Sequence, residues 1–583
     1  MAQRSITPGQ ATWLRAELAR WVGAGLVSAQ SAEVITAEYA VRRRASLIGL
    51  VVGLGGAFLG IGIIWLVAAN LEHLGLLSRF VLILALWLGL VVAGEVLAQR
   101  GASGHGSARL LAGVLRFVAV AAFGAVIFQA ANSLQVPAAS PRLVGLWAVG
   151  ALAYSYAVGS PLGEWLGAAL AGFWWVWQVM DAGEGQPTFA LAATSGGLMA
   201  VAIALAVQPG RGRWGAMPWI HTGAALSLLG VLVAAFPASG PAPAWPPLVI
   251  AALIIAILAA AAAALRGGLR GARALVPAAL SMVLAAGLVM WTSPRTAAGL
   301  DSEPSLGRAA VAVVGYLLLA TAWALVGADR DEPSITLLAL LALVLFITIQ
   351  AFSVFASILS GAALFLAVGA VLVASGVLAE RGWRRFRESE EAERGAGASE
   401  PTDDQQLTAP LPSASEPTGW PRLGLVVAVL LVALVPLAVW TQISARLTGE
   451  VVTLRVVARD PLDPLRGAYV GLTYPDLPSP VLMSAEPPPA GSPQAGADTA
   501  PWVYVPLRRS GDTWVGGAAV EARPASGVYL RCDAREGQLD CGISEFFVGQ
   551  ERAEEIQAAL MKGSLSAEVA VDRWGHAALL EVR

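Results

Sequence analysis

The chain has 583 residues, of which 56% are hydrophobic and 13% charged, with a formal net charge of −2. Water-soluble domains carry about 25% charged residues, so one soluble globular fold is excluded. The near-neutral balance and the lack of a basic tract outside the apolar flanks argue against a nucleic-acid partner.

Residues 1–45 are polar and run straight into a full-length apolar stretch with no small-residue cleavage site. They therefore read as a retained segment and not as a signal peptide. Thr7-Pro8-Gly9-Gln10 has the form of a capping box with proline at the first helical position. Leu14, Leu18, Trp21 and Val22 recur at helical spacing, Gly23 and Gly25 interrupt, and Ser28 can cap a second helix. The segment predicts a helical hairpin on the membrane face, with a partner-binding module as the alternative.

From 46 to 380 the chain is a succession of apolar runs parted by short loops. A helix needs about 20 apolar residues to cross roughly 30 Å of hydrocarbon. The runs place spans at 46–69, 78–98, 111–131, 142–159, 162–181, 188–207, 217–236, 247–266, 273–292, 309–327, 335–353 and 358–379. Orientation follows from arginine placement. Arg42, Arg43 and Arg44 precede the first span and set the N-terminus in the cytoplasm. Every second loop repeats the signal, with Arg100 and Arg109, Arg211 and Arg213, Arg266, Arg270 and Arg273, and then Arg330. Arg381, Arg384, Arg385 and Arg387 follow the twelfth run. The opposite loops hold Arg142, Arg295 and Arg308 beside the acidic Asp181, Glu184, Asp301 and Glu303. The turn at 160–161 has no charge, so joining the two runs around it would invert the order of everything after it.

Residues 381–420 are charged and then rich in Ser, Pro, Thr, Glu and Ala, which predicts a disordered cytoplasmic linker. A final anchor at 421–442 contains Pro436 and carries Trp440 near its outer interface. With about thirteen spans, the tail 443–583 lies outside the cytoplasm. It alternates with period two, as in Val452, Leu454 and Val456, and further strand-like runs fall at 501–507, 513–520, 527–533 and 540–547. A helix is expected at 549–561, and a closing hairpin pairs 565–572 with 576–582 around Trp574-Gly575. The stretch 484–500 reads as a loose loop. Both cysteines of the chain, Cys532 and Cys541, lie in this tail. A two-residue turn at Glu536-Gly537 makes them a non-hydrogen-bonded cross-strand pair about 4.5 Å apart, within reach of a disulfide. Disulfides persist outside the cytoplasm.

Asp460-Pro461-Leu462-Asp463-Pro464-Leu465-Arg466-Gly467-Ala468-Tyr469-Val470-Gly471-Leu472-Thr473-Tyr474 resembles the signature of the GDYXXLXY-domain family, which stands just after a membrane anchor. Gly467, Tyr469, Leu472 and Tyr474 match it, and the signature aspartate is Ala468 here. Gly527-Val528-Tyr529-Leu530-Arg531 and Glu545-Phe546-Phe547 resemble the same family. The first 390 or so residues resemble a family of predicted bacterial membrane proteins, domain of unknown function 2157. The resembling pieces are Trp21 to Ser28, Phe128-Gln129 ahead of Trp147, and Leu378-Ala379-Glu380-Arg381. Together these resemblances imply an inner-membrane location and no particular activity.

Chemistry-bearing residues are few. His73, His105, His221 and His576 are scattered and offer no metal-ligand spacing. No lysine stands where it could activate a serine nucleophile. Nothing calls for a cofactor. In the signature, Asp463, Arg466, Gly467, Tyr469, Leu472 and Tyr474 read as a turn into a strand, with a ligand or peptide site as the alternative. The strongest pointers are polar groups inside the spans, because charge in lipid is expensive and pairs or lines a cavity. Glu95 and Arg116 fall at similar depth on consecutive antiparallel spans. Glu164 and His221 enter from the same side, and Gln129 with Asn132 lies near the opposite face. A structural ion pair is the plain reading, and a substrate or proton path the other.

The fold class implied is a polytopic all-α transmembrane bundle with an N-terminal cytoplasmic helical hairpin and a C-terminal extracytoplasmic β-rich domain. A non-catalytic sensing, scaffolding or assembly role in the bacterial envelope fits best, with a transporter as the alternative. The expected partners are the lipid bilayer and an envelope protein or peptide on the tail.

Overall fold

The apolar runs fold as helices, and the breaks between them fall on residues that end or restart a helix. The computed structural model describes residues 4–6, 8–41, 76–102, 106–134, 140–181, 183, 185–236, 245–267, 271–291, 306–330, 332–350, 421–458, 469–478, 502–534, 539–548, 550–563 and 565–583. The expected spans 46–69 and 358–379, the linker 381–420 and the stretch 484–500 lie outside these residues.

At the N-terminus, β1 (Arg4–Ile6) pairs in parallel with β2 (Tyr39–Val41), and between them stand α1 (Pro8–Gly23) and α2 (Ala29–Glu38). Ser28 Oγ accepts from the Ser31 amide at 3.1 Å, the bond an N-cap makes.

The helical region continues with α3 (Leu76–Ala102), α4 (Gly106–Ser133), α5 (Pro141–Val158), α6 (Pro161–Met180), α7 (Gly185–Ala234), α8 (Pro247–Gly267), α9 (Leu275–Met290), α10 (Leu306–Asp329) and α11 (Pro333–Gln350). Six stretches are long and apolar enough to cross a membrane: Ser78–Arg100, Leu111–Ser133, Gly185–Leu205, Gly215–Ala234, Gly307–Asp329 and Pro333–Gln350. A bent pair near the end of the bundle raises the number to seven. The expectation of about thirteen is therefore met only in coarser form among the described residues, although helix occupies every expected position that they cover.

Two turns matter for the order of the helices. Gly159 takes a left-handed conformation (φ 65°), closes α5, and is followed by Ser160 and by Pro161 at the first position of α6. Gly145 then faces Trp174, and Gly167 faces Leu152, so α5 and α6 run antiparallel. The uncharged turn at 160–161 thus separates two helices. Helix α7 covers 50 residues as two limbs, Gly185–Leu205 and Gly215–Ala234, that fold back on each other. Gln186 Nε2 donates to Val233 O at 2.8 Å and to Phe236 O at 2.9 Å. Gly197 and Gly223 meet where the two limbs cross: a β-carbon on either would lie 2.9 Å from the other's carbonyl oxygen. Small residues at such a crossing let backbones approach closely.

The last anchor is not one straight helix. It comprises α12 (Pro421–Val432), α13 (Leu434–Ala438) and α14 (Trp440–Thr448), with a bend of 56° between Leu423–Pro436 and Trp440–Thr448. Pro436 supplies no amide to the ladder, and Val439 at φ −116°, ψ 16° leaves the helical region. Ala428, Leu431, Val435 and Val439 pack into one core with Trp87, Phe123, Ile127 and Leu143 of α3, α4 and α5. The chain's last membrane helix therefore returns to its early ones.

The tail is a β-sheet domain. β3 (Glu450–Ala458), β4 (Tyr469–Thr473), β8 (Glu545–Phe547), β9 (Leu565–Val571) and β10 (Ala577–Val582) form an antiparallel sheet in the order β10-β9-β3-β4-β8. β5 (Trp502–Ser510), β6 (Thr513–Gly516) and β7 (Tyr529–Asp533) form a second sheet, β6-β5-β7. Val452, Leu454 and Val456 share one buried core with Val503, Val505 and Leu507, and α15 (Gln550–Lys562) closes it with Ile556 and Leu560. One expectation needs correction: the run at 540–547 is strand only from Glu545, because Gly542 turns the chain at φ 72° after an isolated bridge at Asp540.

Candidate functional site

Glu95 stands about two turns before the end of α3, and Arg116 about three turns into α4. The helices are adjacent and antiparallel, so the two side chains meet in the bundle. Arg116 Nη2 donates to Glu95 Oε2 at 2.7 Å and Nε to Oε1 at 3.0 Å, the paired geometry that suits a guanidinium to a carboxylate. Helix α5 supplies two further groups. Tyr154 Oη donates to Glu95 Oε1 at 3.0 Å, and Arg116 Nη1 donates to Val158 O at 3.2 Å. The final anchor closes the site, since a β-carbon at Gly424 would sit 2.6 Å from Val158 Cγ1 and 3.1 Å from both Cδ and Oε1 of Glu95. Glu95 is only 1% exposed. A carboxylate that accepts three bonds and is roofed by backbone is positioned to hold four helices in one register. Removing one partner of such a pair strands a charge in a poor dielectric.

His221 and Gln129 have bonding partners outside this pair. His221 Nδ1 lies 3.0 Å from Met217 O, and Nε2 lies 2.8 Å from Ser334 Oγ. A carbonyl can only accept, so Nδ1 carries the proton. Trp165 packs edge-on against His221 at 4.6 Å, next to the buried Glu164 in the first turn of α6. Gln129 donates to Ser133, one turn along its own helix, at 3.2 Å. Of the polar groups expected in the spans, Glu95 and Arg116 bond each other, and His221 bonds Ser334 on α11.

Sequence reasoning missed three contributors. Tyr154 and Gly424 complete the Glu95 site. Arg308, which reads as a loop charge, is 5% exposed and caps the second limb of α7. It donates to Ala234 O and Ala235 O at 2.8 Å and to Phe236 O at 3.0 Å, carbonyls that a helix end leaves without partners. The available signal was an arginine immediately before an apolar run.

A second constellation joins the anchor to the β-domain. Helix α14 lies along β10. Gln442 Nε2 donates to Ala577 O at 3.1 Å, Arg446 Nη2 to Leu579 O at 2.8 Å, and Ser444 Oγ to Asp572 Oδ2 at 2.6 Å. Asp572 Oδ1 also accepts from the amides of Trp574 at 2.8 Å and His576 at 2.9 Å, and His576 Nδ1 lies 2.9 Å from Oδ2. Burial alone would raise the Asp572 carboxyl; the bonds from Ser444, from the His576 side chain and amide, and from the Trp574 amide outweigh it and hold the group below its ordinary value. Serine, aspartate and histidine are together here, but the serine bonds the carboxylate instead of the imidazole. The arrangement gives the hydroxyl no base and serves as a latch.

In the signature segment, Asp463, Arg466 and Gly467 lie outside the described residues. Tyr469 opens β4 opposite Phe547, and Leu472 is buried in the domain core. Tyr474 Oη donates to Ile543 O at 2.8 Å, and burial pushes its phenol above the usual range. The Leu472 amide bonds Ser544 O at 2.8 Å. Both tie β4 to the loop that follows Cys541. Cys532 and Cys541 are joined by a 2.03 Å S–S bond with Cα atoms 4.0 Å apart. Asp533 and Asp540 exchange both backbone bonds beside it, which makes the cysteines a non-hydrogen-bonded pair in that register. The turn centre at 535–538 lies outside the described residues.

Residues 431–582 match the family model of the GDYXXLXY protein. Residues 19–163 match a second model, described as predicted membrane protein, DUF2157. No curated protein and no solved structure matches the chain. The DUF2157 segment contains Glu95, Arg116, Tyr154 and Val158, whereas the GDYXXLXY segment contains the disulfide and the whole α14 latch. Gly424, which touches the first site, falls between the two matched segments. The chain is a membrane protein in which the two matched segments are joined through its last anchor.

Proposed function

We propose that this chain is a multi-pass protein of the bacterial inner membrane with a non-catalytic sensing or assembly role. In this reading about thirteen spans put the N-terminal helical pair in the cytoplasm and the GDYXXLXY domain outside it. The domains are then a cytoplasmic hairpin at 1–45, a bundle at 46–380, a linker at 381–420, an anchor at 421–442 and an outer domain at 443–583. The arginine alternation supports this orientation, as does a disulfide in the tail. One observation carries the functional part. The last anchor is held to the outer domain by Gln442, Ser444 and Arg446 at one end, and at the other its Gly424 packs on the Glu95 carboxylate. An envelope protein or peptide that shifts the outer domain would therefore shift the anchor against the Glu95–Arg116 pair.

Two measurements test this. Reporter fusions after Arg100, Arg211 and Arg385 should read cytoplasmic, and one at Arg583 extracytoplasmic; a cytoplasmic reading at Arg583 removes the orientation. Amide hydrogen exchange on the full chain tests the coupling. Ser444→Ala and Gln442→Ala together should speed exchange around Glu95 as well as in α14. An effect confined to the outer domain would show that the anchor transmits nothing.

A further inference from the structure

The helices α5, α6 and α7 line a half-open cavity of about 740 Å³, in the size range of roughly 300–1,000 Å³ that small-molecule sites occupy. Its walls are apolar and aromatic, with Leu152, Trp174, Trp175 and Trp219 among the lining residues. Its polar groups include Arg142 at the start of α5 and Gln178 near the end of α6. Trp440 and Thr441, at the start of the helix that docks on the β-domain, also line it, so this mouth faces the β-domain side of the membrane. Arg142 is exposed there, and neither Arg142 nor Gln178 has a hydrogen-bond or ion-pair partner among the described residues.

The dimensions restrict the occupant. Arg142 and Leu152 are ten residues apart on one helix, about 15 Å along its axis. That is close to half of a hydrocarbon core of about 30 Å, the depth of a single leaflet. An aqueous solute would leave apolar wall unmatched along this length, and a purely apolar one would leave the guanidinium unused. We infer that the cavity seats one acyl chain of an anionic phospholipid drawn from the leaflet on the β-domain side, with the lipid phosphate on Arg142. Guanidinium binds phosphate through paired, charge-assisted hydrogen bonds, and Gln178 offers a further donor at the same level. The wall formed by Trp440 and Thr441 makes the seated lipid a neighbour of the β-domain anchor. The site stands on the cavity alone and does not depend on the coupling proposed above.

The test uses the full chain, purified in detergent and exposed to equimolar phosphatidylglycerol and phosphatidylcholine, with retained lipid counted by native mass spectrometry. The wild-type chain should retain one phosphatidylglycerol. Arg142→Gln should weaken retention about tenfold, as expected for loss of one charge-assisted bond. Ala171→Phe, which fills the cavity from α6, should abolish it at an unchanged melting temperature. Arg142 is exposed, so its variant decides the matter even if the filled one fails to fold. Equal retention of the two lipids, retention unaffected by Arg142→Gln or by the filled cavity, or no lipid on the wild-type chain would each overturn the assignment.

Discussion

Gly424 of the final anchor lies against Glu95 of α3 so closely that a β-carbon would stand 3.1 Å from the carboxylate. Only glycine allows that approach without displacing Glu95 or Val158. Gly424→Val should therefore destabilise the detergent-solubilised chain by about 1–3 kcal/mol, the usual cost of overpacking. Thermal unfolding against Gly89→Val, at a position with open space around it, is the comparison, and equal effects at the two sites would refute the contact.

The ion pair makes a separate prediction. Glu95→Ala leaves Arg116 uncompensated, and Arg116→Ala leaves a carboxylate held by Tyr154 alone. The double variant removes both charges, so it should be more stable than the two single losses add up to, with a coupling of about 1–3 kcal/mol. Strict additivity in that cycle would remove any energetic role for the pair.

Acid should open the latch between α14 and β10. The Asp572 carboxyl is held below its ordinary value, so its contribution is complete above about pH 3.9 and is lost as pH falls through the lower, folded value. Asp572→Asn should lower stability near neutrality and converge with the wild type in acid. A difference that is constant from pH 7 to pH 3 would show that the charge is not what Ser444 and His576 hold.

The disulfide closes a loop between positions nine apart. A loop that short contributes roughly 2–3 kcal/mol through the unfolded chain. Unfolding in a reductant should lower the β-domain transition accordingly and leave the helical transition unmoved. A β-domain transition indifferent to reductant would mean that the sheet register alone holds Cys532 beside Cys541.

What was legible in the sequence had a periodic or a paired cause. Val452, Leu454 and Val456 alternate because one face of β3 is buried, and that pattern is visible in the letters. The cysteine register followed because positions symmetric about one turn must pair. Glu95 and Arg116 could be read together because two charges in consecutive apolar runs at equal depth have few other partners. Tyr154 and Gly424 could not be read, since a tyrosine or glycine in an apolar run does not show which helix it will face. Arg308 was hidden by its place beside a loop, although its side chain turns inward to cap a helix. The latch residues were hidden too: α14 continues to Thr448, beyond the expected end at 442, and its partners lie more than a hundred positions on.

The bend at Val439 gives the anchor a crank geometry. A straight rod twisted about its axis only spins, whereas a bent one sweeps its far end through an arc. Leu423–Pro436 is inclined at 56° to Trp440–Thr448, and at 1.5 Å per residue its fourteen residues form an arm of about 17 Å perpendicular to the outer piece. A turn of about 10° in the outer piece would carry the inner end sideways by about 3 Å on that arm. Gly424 rides at that end, so a small rotation of the β-domain becomes a displacement about as large as the 3.1 Å that would separate a β-carbon on Gly424 from the Glu95 carboxylate.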